Sequence, residues 1–186
     1  MLAQLITVAA IAVLFIALIT VIIRLRLRGH NALSGQSPIP VWMLIAGKSS
    51  IAASIGLMLL RALGISSGPI VLTGIQTAAV VLLLVGLGFA APSLFQLGEE
   101  LRFGLSQQQA VIKSTGLYRI SRNPLYLGFY LIGFASCLYV PAAINLILVV
   151  IAIAVHHRVI LAEERFLHRK FGEAYDQYTG RVHRYL

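Results

Sequence analysis

Five apolar segments separated by polar stretches make up most of the chain. A helix that crosses a hydrocarbon core of about 30 Å needs about 20 apolar residues, because each residue adds about 1.5 Å. The hydrophobic pattern therefore predicts an all-α integral membrane bundle of five transmembrane helices. Their expected bounds are residues 3–23, 41–63, 70–91, 124–139 and 142–162.

Prolines mark several of the predicted helix ends. Pro92 is expected to end the third span, since proline breaks the backbone hydrogen bonding of a helix. Pro124 suits the first turn of the fourth span, where a missing N–H is harmless. Pro141 leaves only a tight turn before the fifth span. The fourth and fifth spans are therefore predicted to form an antiparallel hairpin over residues 124–162.

Composition supports a membrane protein with a single domain over residues 1–186. The chain is 59% hydrophobic and 11% charged, whereas a soluble domain carries about 25% charged residues. Its one cysteine, Cys137, lies inside an apolar segment, so no disulfide forms within one chain. We expect three N-terminal spans over residues 1–92 and a second region over residues 93–186 with a polar tail.

The distribution of basic residues predicts the orientation. They concentrate after the first span, in residues 93–123 and in residues 163–186, whereas the turns 64–69 and 140–141 hold none. Basic loops stay on the cytoplasmic side, so we expect the N-terminus outside and the C-terminus in the cytoplasm, in a bacterial or archaeal inner membrane. The net charge of +9 is read as this bias plus contact with anionic lipid, not as nucleic-acid binding.

Two charged residues and two glycines within the spans could have a specific role. Lys48 and Arg61 interrupt the second span; charges there mark a functional path or snorkel to the two interfaces, and snorkelling is the simpler interpretation. Gly86 and Gly88 lie near the end of the third span. Close packing between helices or approach of a ligand would explain both glycines.

The first polar cluster with chemical potential runs from Gly116 to Gly128. Asn123 and Pro124 begin a helix there, which leaves backbone N–H groups and the positive helix end available for a carboxylate or phosphate. Arg119 and Arg122 add positive charge, and Tyr118 and Tyr126 offer rings and hydroxyls suited to adenine or ribose. The alternative is a belt of tyrosine and arginine that anchors the helix at the interface.

The second polar cluster follows the fifth span at Glu163 and Glu164. A carboxylate here is suited to a positive ligand, such as a sulfonium centre or an amino group. His156 and His157 precede the two glutamates by seven residues each, about 10 Å along a helix, which is too far for one metal ion. We therefore predict no metal site and interpret the histidines as interface residues.

Two polar stretches are expected to lie at the membrane surface. Residues 93–123 are predicted to form short interfacial helices that act as part of a lid, since a stretch this long in a compact domain is usually functional or disordered. Apolar and aromatic residues recur with helical spacing in the tail, which favours an amphipathic helix lying on the membrane. They are Phe166, Leu167, Phe171, Tyr175 and Tyr178.

The order of these motifs resembles the isoprenylcysteine carboxyl methyltransferase family and its phospholipid methyltransferase relatives. The resemblance covers roughly the C-terminal half, with a weaker similarity from Leu97 to Arg102. It is carried by two motif segments separated by the helical hairpin. The residues are Gly116, Tyr118, Arg119, Arg122, Asn123, Pro124, Tyr126 and Gly128, then Glu163, Glu164, Leu167, Phe171, Gly172, Tyr175, Tyr178 and Val182.

The resemblance implies S-adenosylmethionine as methyl donor. Its pocket would be cytoplasmic, between the loop before the fourth helix and the extension of the fifth. The implied cofactor-binding residues are Ala110, Val111, Ile112, Lys113, Tyr118, Arg122, Asn123, Pro124, Leu125, Tyr126 and Glu163. The implied catalytic residues are His157, Arg158, Glu163 and Glu164, with Arg158 or His157 in the place of an arginine that orients the acceptor.

Two departures from the family pattern leave the acceptor open. Asn123 stands where the eukaryotic carboxyl methyltransferases have histidine, and His183 interrupts a usual Val-Pro. An isoprenylcysteine-like carboxylate, a phospholipid amine, or another lipophilic carboxylate, amine or thiol would fit. A carboxylate needs only an orienting cation, whereas an amine needs a base such as Glu163 or Glu164.

Two other function classes compete with methyl transfer. An NADPH-dependent sterol-type reductase has a similar C-terminal region, but such proteins are longer and no basic pocket for a 2′-phosphate is evident here. A non-enzymatic transporter or scaffold would need a polar path at mid-membrane, and spans one, three, four and five have no charge at their centres. The sequence therefore favours a methyltransferase that acts on a membrane lipid or prenylated substrate.

Overall fold

A computed structural model describes residues 1–28, 39–68, 71–97 and 111–186. These ranges contain six α-helices, a short 3₁₀ helix and no strand, so the predicted all-α class is confirmed for them. The helices are α1 (Leu2–Leu27), α2 (Val41–Ala62), α3 (Thr73–Leu97), α4 (Pro124–Tyr139), α5 (Ala143–Phe171) and α6 (Glu173–Thr179), and the 3₁₀ helix is Gly116–Arg119. Four of them, α1, α2, α3 and α5, have the length and apolarity of membrane spans, whereas α4 is apolar but shorter.

The prediction that Pro92 ends the third span is wrong. Helix α3 continues through Pro92 to Leu97, although proline removes a helical hydrogen bond. The next two residues, Ser93 and Leu94, are buried in the bundle. The apolar burial of Leu94, which is 2% exposed, offsets the lost hydrogen bond, and the helix continues for one further turn.

The fifth helix continues nine residues past the end of its predicted span at residue 162, and then the chain reverses. Helix α5 ends at Phe171, where Gly172 has φ 50° and ψ −125°, a conformation that glycine adopts readily. Helix α6 follows, and its Tyr175 and Tyr178 are buried in a small apolar cluster with Val182. The interpretation that these two tyrosines lie on the membrane is therefore wrong, because the reversal at Gly172 turns them into the protein.

Glycines allow α3 and α4 to approach very closely. A Cβ placed on Gly128 would lie 2.6 Å from the backbone nitrogen of Ala90, and one placed on Gly86 would lie 2.9 Å from the carbonyl oxygen of Gly128. This is the small-residue packing common between membrane helices. Gly88 is exposed and faces open space, so the packing prediction is confirmed for Gly86 and wrong for Gly88.

A buried polar network joins α2, α4 and α5. The Asn145 side chain accepts a hydrogen bond from Ser54 Oγ at 2.7 Å, and its Nδ2 donates to the Ser136 carbonyl at 2.9 Å and the Val140 carbonyl at 3.1 Å. Ser136 Oγ donates to the Ser54 carbonyl at 2.8 Å. The network closes the predicted α4–α5 hairpin and fixes its position against α2.

The helix ends gather at two opposite ends of the bundle. The polar end is the one where α4 begins at Asn123 and where Glu163 and Glu164 follow the apolar part of α5. The opposite end gathers the start of α1 at Gln4 and the ends of α2 and α4 at Arg61 and Tyr139. The antiparallel hairpin therefore brings both predicted polar clusters to the same end.

The glycine contact between α3 and α4 predicts a sharp difference between neighbouring alanine substitutions. Gly86→Ala should lower the free energy of unfolding by about 1–3 kcal/mol, because the new methyl group meets backbone atoms of α4 that cannot yield. Gly88→Ala should be neutral or stabilising by up to about 1 kcal/mol, since alanine favours helix and the position is open. Thermal unfolding of the detergent-purified variants would measure both, and equal stability of the two would contradict the packing.

The polar network predicts that Asn145 is more important for stability than its type suggests. Asn145→Ala should cost about 1–2 kcal/mol, because it leaves carbonyl groups without donors in a site from which water is excluded. Ser49→Ala is the matched control, since Ser49 is an exposed polar residue of α2. Chemical denaturation in detergent should show loss for the first variant and little change for the second.

Candidate active site

The segment before α4 is held in place from two sides. The backbone N–H of Leu117 donates to Gln96 Oε1 at 3.0 Å, and the Tyr118 carbonyl accepts a hydrogen bond from the Tyr178 hydroxyl at 2.8 Å. Burial raises the pKa of Tyr178 to about 12, so the phenol stays protonated and keeps donating. Gly116 has φ +60°, and a Cβ there would lie 2.6 Å from Gln96 Oε1. Glycine is therefore needed where this segment docks on α3.

At the start of α4, two backbone N–H groups have no hydrogen-bond partner among the described residues. Proline occupies the first helical position, and the helical hydrogen bonding begins with Leu127 N–H donating to the Asn123 carbonyl at 3.0 Å. The N–H groups of Leu125 and Tyr126 lie ahead of that bond and point out of the helix end. Together with the positive end of the helix dipole they form a place for an anionic or hydrogen-bond-accepting group.

Glu164 is clamped between two arginines and an asparagine. Arg184 makes a bidentate ion pair with it, in which Nη2 donates to Oε2 at 2.8 Å and Nε donates to Oε1 at 3.1 Å. Arg122 Nη2 lies 3.3 Å from Oε1, and Asn123 Nδ2 donates to the same oxygen at 3.5 Å. The hydrogen bond to Glu164 raises the pKa of Arg184 above its ordinary value. Glu164 is only 13% exposed, so this carboxylate is neutralised by the protein itself.

Glu163 belongs to a second cluster beside the first. The Tyr126 hydroxyl donates to Glu163 Oε1 at 3.4 Å, and the Tyr126 ring lies against His156 with centroids 5.5 Å apart. Lys48 of α2 interacts electrostatically with both Glu163 and His156. The cluster therefore combines one carboxylate, one ammonium, a phenol and an imidazole where α2, α4 and α5 meet.

The antiparallel packing of α2 and α5 explains how Lys48 reaches Glu163. Gly47 faces Val155, where an added Cβ would lie 2.6 Å from Val155 Cγ1, so Lys48 starts about two and a half turns away from the level of Glu163. Side chains on a helix lean toward its N-terminus. Lys48 thus leans toward the polar end, while Glu163 leans toward the bundle centre, and the two groups converge.

The last residues of the chain close over the segment before α4. The backbone N–H of Arg122 donates to the His183 carbonyl at 2.9 Å, and Ser121 Oγ donates to the Arg184 carbonyl at 3.3 Å. The Tyr185 hydroxyl lies 2.7 Å from His157 Nδ1. The tail thereby connects the start of α4 with the middle of α5.

The structure gathers many of the sequence-predicted site residues at the polar end. Tyr118, Asn123 and Pro124 are buried, and Arg122, Leu125, Tyr126, His157, Glu163 and Glu164 are half-buried around them. Ile112 packs against the cluster of Tyr175, Tyr178 and Val182; Lys113 is half-buried and Val111 exposed. Ala110 lies outside the described residues.

Arg158 is a predicted site residue that lies away from the other predicted residues at the polar end. It is exposed on α5 and lies about 140° around the helix from Glu163, five residues later, since each residue turns the helix by about 100°. Its guanidinium therefore faces the outside of the bundle and not the cluster around Glu163.

Sequence reasoning missed Arg184 and Tyr185 and underestimated Lys48. No local spacing links residues 164 and 184, because the reversal at Gly172 brings them together. Lys48 did carry a signal, since a lysine within an apolar span is unusual. Its partner could be identified only from the contact of α2 with α5.

A family model described as phospholipid methyltransferase matches residues 75–174. The match covers more than half of the chain and includes the segment before α4, the α4–α5 hairpin and both glutamates. No curated protein matches the chain significantly. No solved structure does either. The chain therefore belongs to the phospholipid methyltransferase family of membrane methyltransferases, as its two motif segments predicted.

Proposed function

We propose that this protein transfers the methyl group of S-adenosylmethionine to a lipophilic acceptor at the cytoplasmic face of the membrane. The observation that carries the proposal is the meeting of the two motif segments at one end of the bundle. Asn123 and Tyr126 at the start of α4 reach Glu164 and Glu163 on α5, about 40 residues later. Family membership supports the reaction class, and this meeting supports the location.

The residues at the polar end fit the chemistry of S-adenosylmethionine. The sulfonium and the ammonium of that molecule are positively charged and pair with a carboxylate of the protein. Its own carboxylate and its ribose can accept hydrogen bonds from backbone N–H groups. Glu163 supplies the first kind of partner, and the N–H groups of Leu125 and Tyr126 supply the second. Tyr118, which is buried beside this helix end, and Tyr126 offer ring surface for the adenine.

The two glutamates are expected to have different roles. Glu164 already has two guanidinium partners and an amide, so its contribution is to hold the start of α4, α5 and the tail together. Glu163 has a phenol and one ammonium as neighbours. Of the two carboxylates, Glu163 is therefore the one we assign to the cofactor's positive groups.

When bound, S-adenosylmethionine supplies an electrophilic methyl group on sulfur. The work of the chain is then to align the acceptor opposite that methyl and to exclude water. Glu163 holds positive charge in place, and the α4 helix end fixes the other part of the cofactor. For an amine acceptor, the proton released from nitrogen would pass to a carboxylate oxygen of Glu163; a carboxylate acceptor releases no proton.

The acceptor's apolar part would enter from the bilayer between the helices. Arg158 is exposed on α5 near the polar end, a position suited to meeting a carboxylate or phosphate at the interface before methyl transfer. His157 is held by Tyr185 and is the alternative orienting residue. A phospholipid amine and an isoprenylcysteine-like carboxylate both remain acceptors within the proposal.

We further propose that α4 also crosses the membrane, which makes five spans in all among the described helices, with the N-terminus outside and the polar end in the cytoplasm. Its 16 residues extend about 24 Å, somewhat short of a 30 Å core, and a short span is accommodated by local thinning of the bilayer. Its packing against α3 supports this position. Residues 1–92 would then act as the support for a methyltransferase region over residues 93–186, in one membrane domain.

Ligand binding separates this proposal from its rivals and the two glutamates from each other. Titration calorimetry of the detergent-purified chain should show micromolar binding of S-adenosylhomocysteine. Glu163→Gln and Asn123→Ala should weaken it at least tenfold, because each removes a group assigned to the cofactor or to its helix end. Glu164→Gln should instead lower the unfolding temperature, because it leaves two guanidinium groups partly unpaired.

The other outcomes of that titration are informative. Binding of NADPH in place of S-adenosylhomocysteine would establish the reductase alternative. Binding of neither ligand to the wild type would leave a non-enzymatic membrane protein. Full affinity in Glu163→Gln would refute the role given to that carboxylate while leaving the reaction class standing.

The chemistry of the product identifies the acceptor class. Membranes incubated with the protein and S-adenosylmethionine labelled on its methyl group should yield label in the lipid extract. A methyl ester releases labelled methanol in mild alkali, whereas an N-methyl group is stable. Glu163→Gln, assayed at saturating cofactor, should abolish alkali-stable label if an amine is the acceptor. Absence of label from all lipid fractions would contradict a lipid acceptor.

A further inference from the structure

A polar cavity of about 300 Å³ lies at the opposite end of the bundle from the methyltransferase site. It is formed where α1 and α3 begin and where α2 and α4 finish. Its lining is Gln4, Arg61, Gly64, Ser66, Val71, Gln76 and Tyr139. Neither the family motifs nor the proposed methyl transfer uses any of these residues.

Tyr139 is the first indication that this cavity takes a ligand. Its side chain is 3% exposed, and its hydroxyl is buried without a hydrogen-bond partner among the described residues. An unsatisfied buried hydroxyl is costly, and such groups usually mark a partner that binds there. Here the tyrosine itself lines the cavity, so the missing acceptor would enter through it.

The charge of the cavity defines the class of that acceptor. Arg61 donates to the carbonyl groups of Ser66 at 3.4 Å and Gly68 at 3.2 Å, and its guanidinium remains positively charged at the cavity wall. The lining residues include no Asp or Glu, and every acidic residue of the chain follows residue 98 in the sequence. Gln4 and Gln76 add amide donors, so the lining is rich in donors and positively charged.

We propose that this cavity binds a phosphate group, either as a phospholipid headgroup or as free phosphate. Phosphate oxygens accept from a guanidinium, a phenol and side-chain amides together. Leu5 and Ile75, which follow Gln4 and precede Gln76 in the chain, are 61% and 42% exposed. They offer apolar surface beside the cavity on which acyl chains can lie, and this favours the lipid source.

Thermal unfolding with chosen probes tests the site without any cofactor. Phosphatidylglycerol added to the detergent-purified chain should raise the melting temperature by several degrees. Diacylglycerol with the same acyl chains lacks the phosphate and should not. Tyr139→Phe and Arg61→Gln should each lose at least half of the shift, while Arg26→Gln, an exposed arginine near the far end of α1, should keep it.

Arg61→Gln could disturb the turn at Ser66 and Gly68, which the Arg61 guanidinium holds. In that case Tyr139→Phe alone tests whether the cavity binds phosphate. Without lipid, this variant should melt at the wild-type temperature or above, because it removes an unsatisfied hydroxyl. A shift produced by inorganic phosphate alone and lost in Tyr139→Phe would identify free phosphate as the source. No shift with either probe, an equal shift with diacylglycerol, or a full shift in Tyr139→Phe would overturn the proposal.

Discussion

The polar end of the bundle depends on the ion pairs of Glu164. This carboxylate joins three segments that are far apart in sequence: Arg122 before α4, Glu164 on α5 and Arg184 in the tail. Because Arg122 is only 14% exposed, loss of Glu164 would leave a largely buried guanidinium without its ion-pair partner, and this costs far more than loss of a surface pair. The same contacts place Asn123 beside Glu164 and close the tail over the segment that precedes α4. The neighbouring Glu163 is thereby held in position, although it takes no part in these ion pairs.

Contacts inside the bundle fix how the helices that carry the polar end are positioned against one another. The close contact of Gly86 with Gly128 fixes α4 against α3, and the network of Asn145 fixes the α4–α5 hairpin against α2. Lipid offers no hydrophobic drive between helices, so small residues and buried hydrogen bonds are what determine register. This register brings Lys48, which precedes the family-matched residues 75–174, into the cluster around Glu163. Helix α2 therefore contributes a charged group to this cluster.

The two ends of the bundle differ in electrostatics, and the functions proposed for them differ accordingly. The polar end pairs carboxylates with guanidinium and ammonium groups, so it suits a ligand that carries both signs of charge. The lining of the opposite cavity has Arg61 and amides but no carboxylate, so it suits an anion. About 30 Å of hydrocarbon separates the two faces of a membrane, and the two sites are thus expected to act independently.

The sequence alone determined the helical class, the bounds of α1, α2 and α4 to within four residues, the hairpin and the family. These follow from local causes: apolar length, proline at a helix start, and motifs carried by neighbouring residues. Pro92 was misjudged because apolar burial of Leu94 outweighs one lost hydrogen bond. Tyr175 and Tyr178 were misjudged because helical spacing does not reveal that Gly172 reverses the chain. Only the tertiary structure decided that Glu164 is held by Arg122 and Arg184 while Glu163 meets Tyr126 and Lys48, since each pairing depends on how helices distant in sequence pack together.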